Sequence, residues 1–290
     1  MGIMGSETDI LSYIKNNREG FSKRQRMVAD YILRNYDRAA YMTAAALSDA
    51  VGVSESTVVR FAAELGFDGY QRLQHRLQEV ARTQLNSIQR MDIASRQIDS
   101  NDILSNVLKS DIDKIEKTLA EIDKAQFDGA VEALLHAENI YITGVRSAAA
   151  LASFTGFYFN RLFENVRLIN TTGADDIFEQ ILRAGSGDAV LGMSFPRYSR
   201  NTLKALEYAK HQGATVIGIT DSVNSPIVKQ SHYCLIARSD MDSFVDSLVA
   251  PFSVVNALIV ALGMKKRDEV RDIFEKLETI WDEYGVYDKE

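Results

Sequence analysis

The chain has 290 residues, 46% of them hydrophobic, with one cysteine and a formal net charge of −7; at roughly one domain per ~150 residues this predicts two packed domains. No run of about 18 uninterrupted apolar residues occurs and the N-terminus lacks a basic stretch followed by an apolar one, so neither a membrane span nor a secretion signal is indicated. The lone Cys234 cannot close an intrachain disulfide, which suits a reducing cytoplasm. The acidic balance excludes nucleic acid only until it is divided. Residues 1–82 hold 11 Lys and Arg against 10 Asp and Glu, a net of +1, and the remainder holds 22 against 30, a net of −8.

The run Phe21 to Leu33 predicts an amphipathic helix with Val28, Tyr31 and Ile32 facing inward. Thr43 to Leu65 then reads as two short helices joined by a tight turn, the pattern of a helix-turn-helix. Thr43 is placed to cap the first helix, Gly52 to take the positive φ of the turn, and Ser54 to cap the second. The second helix is expected to bury Val58, Phe61, Ala62 and Leu65 and to turn Glu55, Ser56, Thr57, Arg60 and Glu64 outward. Short hydroxyls and an arginine near the start of such a helix suit base edges in a major groove. Thr43, Ser54, Glu55, Ser56, Thr57, Arg60 and Tyr70 are therefore the DNA-binding candidates, with Ser56, Thr57 and Arg60 foremost. Arg18, Lys23, Arg24, Arg26, Arg60, Arg72 and Arg76 are candidates for phosphate contacts. An ordinary buried helical hairpin would share the same caps and apolar spacing.

The segment Phe21 to Leu77 resembles the N-terminal domain of the RpiR family of bacterial transcriptional regulators. The carrying motifs are Val53-Ser-Glu-Ser-Thr-Val-Val-Arg-Phe61 and Leu65-Gly-Phe-Asp-Gly-Tyr70. A module with so little net charge implies modest nonspecific affinity, so a homodimer or higher homo-oligomer presenting two heads to a double-stranded operator is expected.

From about Ala81 to Asp123 the chain is polar and free of Pro and Gly, with Leu104, Val107, Leu108, Ile112, Ile115 and Leu119 at helical spacing. This reads as a connector followed by a helix whose apolar stripe packs on the second domain or on a partner subunit, core packing being the simpler expectation. The domain boundaries so drawn are 1–82, a connector over 83–111, and 112–290.

Beyond residue 125 short apolar runs alternate with helical segments. Asn139–Gly144, Val166–Asn170, Asp188–Met193, Ala214–Ile219 and His232–Ala237 are five strand candidates, which predicts a parallel sheet covered by helices on both faces. Ligands in such folds gather where strand ends lead into helix N-termini. Three loops qualify: Gly144-Val-Arg-Ser-Ala-Ala148, Met193-Ser-Phe-Pro-Arg-Tyr-Ser-Arg-Asn-Thr202, and Thr220-Asp-Ser222. The hydroxyls of Ser147, Ser194, Ser199 and Thr202 suit a phosphate or carboxylate, although Ser147 and Ser199 would also serve as plain helix caps.

Residues from about 125 to 260 resemble a sugar isomerase (SIS) domain, the phosphosugar-binding domain that the RpiR family carries behind its head. The sequence departs from that family's loops. Arg146 stands where a glycine is usual, and Pro196 and Arg197 replace a Ser-Gly pair, while Ser147, Ser194 and Ser199 still match. Arg146, Arg197 and Arg200 add positive charge at the same mouth, so the effector candidates are Arg146, Ser147, Ser194, Arg197, Ser199, Arg200 and Thr202, and the expected ligand is a phosphosugar, a sugar acid or another anionic metabolite. Pairing of these arginines with Asp175, Asp176 or Glu179 is the competing expectation.

Gly185-Ser-Gly187 precedes a strand and is a turn, not a dinucleotide loop; the four histidines lack metal-ligand spacing, so no metal or cofactor is called for, and no nucleophile and base are placed together. The run 244–262, interrupted by Pro251, predicts a buried helix, and 265–284 a charged amphipathic helix with Val270, Ile273, Phe274, Leu277 and Trp281 on one side, both eligible for a subunit interface. The sequence is thus read as an all-α helix-turn-helix domain followed by an α/β domain with a five-stranded parallel sheet: a DNA-binding transcriptional regulator sensing an anionic metabolite. The alternatives are a DNA-binding regulator with a vestigial effector site, and a phosphosugar aldose-ketose isomerase with an appended head.

Overall fold

The computed structural model describes residues 10–84, 86–91, 102–169, 176–240 and 245–287. They belong to two compact units: residues 1–103 with 241–245, and 104–240 with 246–290.

Among the described residues the regular elements of the first unit are helices, including α1 (Ile10–Asn16), α2 (Lys23–Arg34), α3 (Tyr36–Ala39), α4 (Ala44–Val51), α5 (Glu55–Glu64) and α6 (Tyr70–Gln84). Ser22 starts α2 with a capping box: its hydroxyl accepts from Gln25 N while the Gln25 side chain accepts from Ser22 N. The apolar residues of α2 and α5 meet in one core with Ile14, Leu47 and Leu73. Val28 and Ile32 are buried there as the sequence periodicity predicts, Tyr31 lies partly buried at its margin, and Phe21 packs edge-on against Phe61 at 5.2 Å between ring centroids.

The second unit opens with α7 (Ile103–Glu121) and α8 (Lys124–Leu135), and then alternates β1 (Ile140–Gly144), α9 (Ala148–Leu162), β2 (Val166–Ile169), α10 (Asp176–Ile181), β3 (Ala189–Met193), α11 (Arg200–His211), β4 (Thr215–Thr220), α12 (Pro226–Gln230) and β5 (Tyr233–Ile236). All five strands pair in parallel in the order β2-β1-β3-β4-β5. The five expected strands are all present. Side chains alternate between the faces: Ile140, Ile142 and Leu191 enter a core with Phe159 of α9 and Leu258 of α13 (Val249–Lys265), while Tyr141, Val190 and Val216 enter another with Ile177, Leu206 and Ile227 of α10 to α12. Pro251 does not interrupt α13 but lies in its first turn, where no intrahelical N–H is forfeited; Phe244 lies outside the described residues. The last helix, α14 (Arg267–Glu283), buries no residue fully. Among the described residues no single helix is long and apolar enough to cross a membrane.

One expectation fails. The apolar stripe of α7 does not pack into the core: Leu104 is 73% and Leu119 78% exposed, and Leu108, Ile112 and Ile115 are exposed with them. The inward positions of this helix are instead Lys114 and Thr118, both buried. Polar anchoring explains the inversion. Thr118 Oγ1 accepts from Arg238 N at 2.9 Å, Ser247 Oγ donates to Asp111 at 2.6 Å, and Arg238 pairs with Glu121. Next to the stripe an apolar groove of about 450 Å³ is lined by Ile115, Leu119, Ile122, Phe127 and Val254.

The packing is tight enough to specify glycine on β3. A Cβ built on Gly192 would lie 2.6 Å from both methyl carbons of the buried Leu206. Gly192→Ala is expected to cost about 1–3 kcal/mol in chemical denaturation of the full chain through overpacking. The double substitution with Leu206→Ala should cost less than the sum of the two single changes, because the smaller side chain opens the space the new methyl needs; strict additivity would mean that the clash is not the cause.

Candidate functional site

Two regions concentrate the expected functional residues. In the first unit, Thr43 Oγ1 accepts from Ala46 N at 3.1 Å and caps α4, and Gly52 ends it at φ +77°, both as the sequence predicts. Ser54 occupies the N-cap position of α5 without making the expected cap bond. Its hydroxyl lies 3.0 Å from Ser56 Oγ and 2.9 Å from Thr57 Oγ1.

Thr57 is a correction. It is buried rather than outward, on the face with Val58, Phe61 and Ala62. The outer face of α5 carries Glu55, Ser56, Val59, Arg60 and Glu64, and the exposed Val59 is a member that polarity-based reading passes over. Arg60 folds along its own helix, with Nε donating to Ser56 O at 3.1 Å. Tyr70 is a second correction: it is buried, donates to Met42 O at 2.8 Å, and burial pushes its pKa up to about 12, so it is a neutral donor that ties α6 to the segment before α4.

The basic candidates divide in the same way. Arg18 is held by Asp30 and Glu19, Arg26 by Glu19 and Arg76 by Glu79, and the Arg18 guanidinium holds the Asp30 carboxyl below its ordinary pKa. Lys23, Arg24, Arg60 and Arg72 have no acidic partner among the described residues. Arg24 and Arg60 line a polar notch of about 240 Å³ with Ser22, Gln25 and Thr57, where the first turn of α2 faces α5. A notch of that size with two guanidinium groups suits a phosphate of the nucleic-acid backbone.

In the second unit the strand order turns outward from the gap between β1 and β3, which is the topological switch point of such sheets. Gly144 is paired with Met193 across that gap, so the loops that follow leave the sheet side by side. Gly144 has no room for a side chain, since a Cβ would lie 2.7 Å from the Ala148 carbonyl oxygen. Ser147 precedes α9 with an exposed hydroxyl that makes no cap bond. Across the gap Ser194 is buried, its Oγ accepting from Ser199 N at 3.1 Å, and Ser199 caps α11 by accepting from Thr202 N at 3.3 Å. Thr202 Oγ1 and Thr143 Oγ1 are wholly buried without a hydrogen-bond partner among the described residues.

Both departures from glycine show in the backbone. Among the described residues Arg146, at φ +59°, and Arg197, at φ +66°, are the non-glycine residues in the left-handed region. Such a residue costs of order 1–3 kcal/mol and persists where its surroundings hold it. Arg146, Arg197 and Arg200 are exposed, and Arg146 and Arg200 have no ion pair among the described residues. Asp175 lies outside those residues, as does the side chain of Asp176.

The third loop joins the second through a contact the sequence does not suggest. Tyr198 donates to the buried Asp221 carboxylate at 2.8 Å, and Thr220 Oγ1 donates to Ser194 O at 2.7 Å. Elsewhere, burial pushes the Cys234 thiol up to about 12, which keeps it protonated at neutral pH, and His232, its pKa lowered by burial and by Lys210, accepts from Val216 N.

Comparison with known proteins matches each unit separately. Residues 8–84 fit the model of the helix-turn-helix domain of the rpiR family, and residues 133–261 fit that of the SIS domain. An uncharacterized HTH-type transcriptional regulator of Caldanaerobacter subterraneus subsp. tengcongensis is 25% identical, with 91% of this chain and 93% of that protein covered. Another from Haemophilus influenzae is 26% identical over 80% of this chain and 81% of that one. Among solved structures, the sugar isomerase domain of an RpiR transcription factor from Sphaerobacter thermophilus aligns with a TM-score of 0.59 at 24% identity, over 61% of this chain and 99% of that one. The Vibrio vulnificus NanR protein complexed with ManNAc-6P aligns with a TM-score of 0.56 at 22% identity, over 93% and 97%.

The buried role of Tyr70 has a measurable consequence. Tyr70→Phe is expected to lower the stability of the helical unit by about 0.5–1.5 kcal/mol in urea unfolding, one hydrogen bond's worth. DNA affinity measured well below the melting temperature should stay within twofold of wild type; a larger loss would return Tyr70 to the contact surface.

Proposed function

The chain belongs to the RpiR family of helix-turn-helix transcriptional regulators that carry a SIS domain, and we propose that this SIS domain binds a phosphosugar or a related anionic metabolite and thereby changes operator affinity. The observation that carries the proposal is that two hydroxyl-bearing loops, one leading into the N-terminus of α11, leave the paired strands β1 and β3 side by side, with the exposed Arg146, Arg197 and Arg200 in or next to them. Beyond Thr202 N, which Ser199 Oγ caps, the N–H groups at the start of α11 have no intrahelical partner and favour an anion, and Ser147 offers its hydroxyl from across the gap. The likeness to a regulator complexed with ManNAc-6P supports the phosphosugar class. The likeness to HTH-type transcriptional regulators favours sensing over isomerisation, and the proposed site of action is DNA in the cytoplasm.

On this reading α5 enters the major groove. Ser56 and Arg60 address base edges or phosphates, Glu55 is suited to accept from a cytosine amine, and Val59 is suited to a thymine methyl. Thr43 and Ser54 lie at the two helix starts, and Arg24 takes a phosphate at the notch. The exposed stripe Leu104, Leu108, Ile112, Ile115 and Leu119 recurs at the spacing of a helix-pairing seam, and a second copy of the chain is the proposed partner, which would supply the second head.

Selection of genomic fragments at fixed salt, with and without a panel of phosphosugars and sugar acids, tests the central reading. One enriched site is expected, with its affinity shifted about 5- to 150-fold by one metabolite. On that site Arg24→Ala should weaken binding evenly across base variants, while Arg60→Ala should relax the preference at one position, at a cost of about 1–3 kcal/mol. Specific binding unmoved by every anionic metabolite would point instead to a vestigial effector site.

Self-association is tested separately. Ile112→Glu is expected to give a folded monomer in sedimentation equilibrium at micromolar concentration, with weakened operator binding; an unchanged oligomer would remove the α7 seam from the interface.

A further inference from the structure

The hydroxyls at the start of α5 are joined to one another. Ser54 Oγ lies 2.9 Å from Thr57 Oγ1 and 3.0 Å from Ser56 Oγ. Arg60 reaches back to the same serine, Nε donating to Ser56 O at 3.1 Å and Nη2 to Ser56 Oγ at 3.4 Å. The resulting chain of contacts has a buried end at Thr57, only 4% exposed, and an open end at Ser56 on the outer face of the helix.

Burial sets the direction of this chain, because a buried hydroxyl has to place its proton on an acceptor. Among the described residues the hydrogen-bond partner of Thr57 Oγ1 is Ser54 Oγ. The notch that Thr57 lines holds the guanidinium groups of Arg24 and Arg60, which offer protons and accept none. Thr57 therefore donates to Ser54. With its acceptor side turned to Thr57, Ser54 makes no cap bond to α5, and its own proton goes to Ser56. Ser56 Oγ then accepts from Ser54 and from Arg60, which fills both of its lone pairs, and what is left to it is to donate.

We infer that Ser56 meets DNA as a hydrogen-bond donor, and that the buried Thr57, acting through Ser54, is the positioning residue that fixes this polarity. The target is an acceptor: a purine N7, a guanine O6 or a thymine O4 on the major-groove edge, or a phosphate oxygen. The amines of cytosine and adenine are refused. A serine without this relay would address either kind of group, since its hydroxyl both donates and accepts. The inference rests on α5 entering the major groove, as proposed above, and adds the polarity of the contact and the residues that set it.

The test uses the full chain and the duplex that it enriches. That duplex is remade with analogues lacking one major-groove acceptor (purine N7, guanine O6 or thymine O4) or one amine (cytosine N4 or adenine N6), and with single methylphosphonate linkages. Removal of one acceptor should weaken wild type by about 2- to 13-fold, one hydrogen bond's worth, and leave Ser56→Ala unmoved. Base analogues and methylphosphonates tell a base edge from a phosphate. Thr57→Val, which keeps the branched shape without the hydroxyl, should lose about twofold or more, and Thr57→Ser should restore the affinity. In the Ser56→Ala background Thr57→Val should change affinity by less than about twofold, because its effect runs through that serine. Melting temperatures of each variant show that the head is folded where binding is measured. If an amine, or no group at all, distinguishes wild type from Ser56→Ala, or if the Thr57→Val loss persists without Ser56, the inference is overturned and the DNA-binding reading stands. Failure to enrich any duplex, with the head folded, would overturn both.

Discussion

A parallel sheet in the order β2-β1-β3-β4-β5 has one place where consecutive connections part, and the second unit is organised around it. The chain leaves β1 for α9 on one face of the sheet and leaves β3 for α11 on the other. No crossover covers the gap between them. The backbone itself is fitted to this opening. Gly144 allows α9 to approach the end of β1 more closely than any side chain would permit, and Gly192 lets Leu206 of α11 rest on β3. The loops that leave these two strands hold Arg146 and Arg197 in the left-handed region.

Energetics explain why charge at this opening has to be local. The part of the chain beyond residue 82 carries a net charge of −8, so its overall field repels an anion. An anionic ligand is drawn in only where guanidinium groups and helix dipoles outweigh that field at short range. Two arginines in left-handed conformations cost of order 1–3 kcal/mol each. A hydrogen bond to a charged partner contributes about 1.5–3 kcal/mol. The two magnitudes are comparable, so one charge-assisted contact from such a side chain is enough to offset the strain of its backbone.

Much of this was legible in the sequence because periodicity and turn chemistry carry it. Thr43 and Gly52 bracket α4 as their residue types demand, and the five apolar runs became five strands. The failures have specific causes. Thr57 lies next to Val58 on the helix, and polarity alone placed it outside, whereas the Ser54 hydroxyl satisfies it within. Tyr70, a DNA-binding candidate in the sequence, spends its hydroxyl on Met42 O, 28 residues away, a pairing with no local signature. On α7 the apolar spacing marked a helix correctly but gave no sign of which face turns inward. Three polar anchors, at Asp111, Thr118 and Glu121, decide that. The contact of Tyr198 with Asp221 joins residues 23 apart and has no local signature at all.

The inverted helix and the weakly charged head belong to one design problem. A head with a net charge of +1, several of whose arginines are tied to Asp30, Glu19 and Glu79, gains little from counterion release alone. Linking two such heads makes the second contact intramolecular, so that the assembly binds far more tightly than either head without any new base contact. The α7 stripe leaves exposed apolar surface on the isolated chain, and under the proposed pairing a second copy covers it. Regulation then needs no large rearrangement at the bases. A coupling of about 1–3 kcal/mol between ligand and operator corresponds to roughly 5- to 150-fold in affinity, and by linkage DNA must change the ligand's affinity by the same factor. Because avidity falls when two sites cannot be engaged together, a modest change in the proposed pairing of two copies would be enough to reach that range.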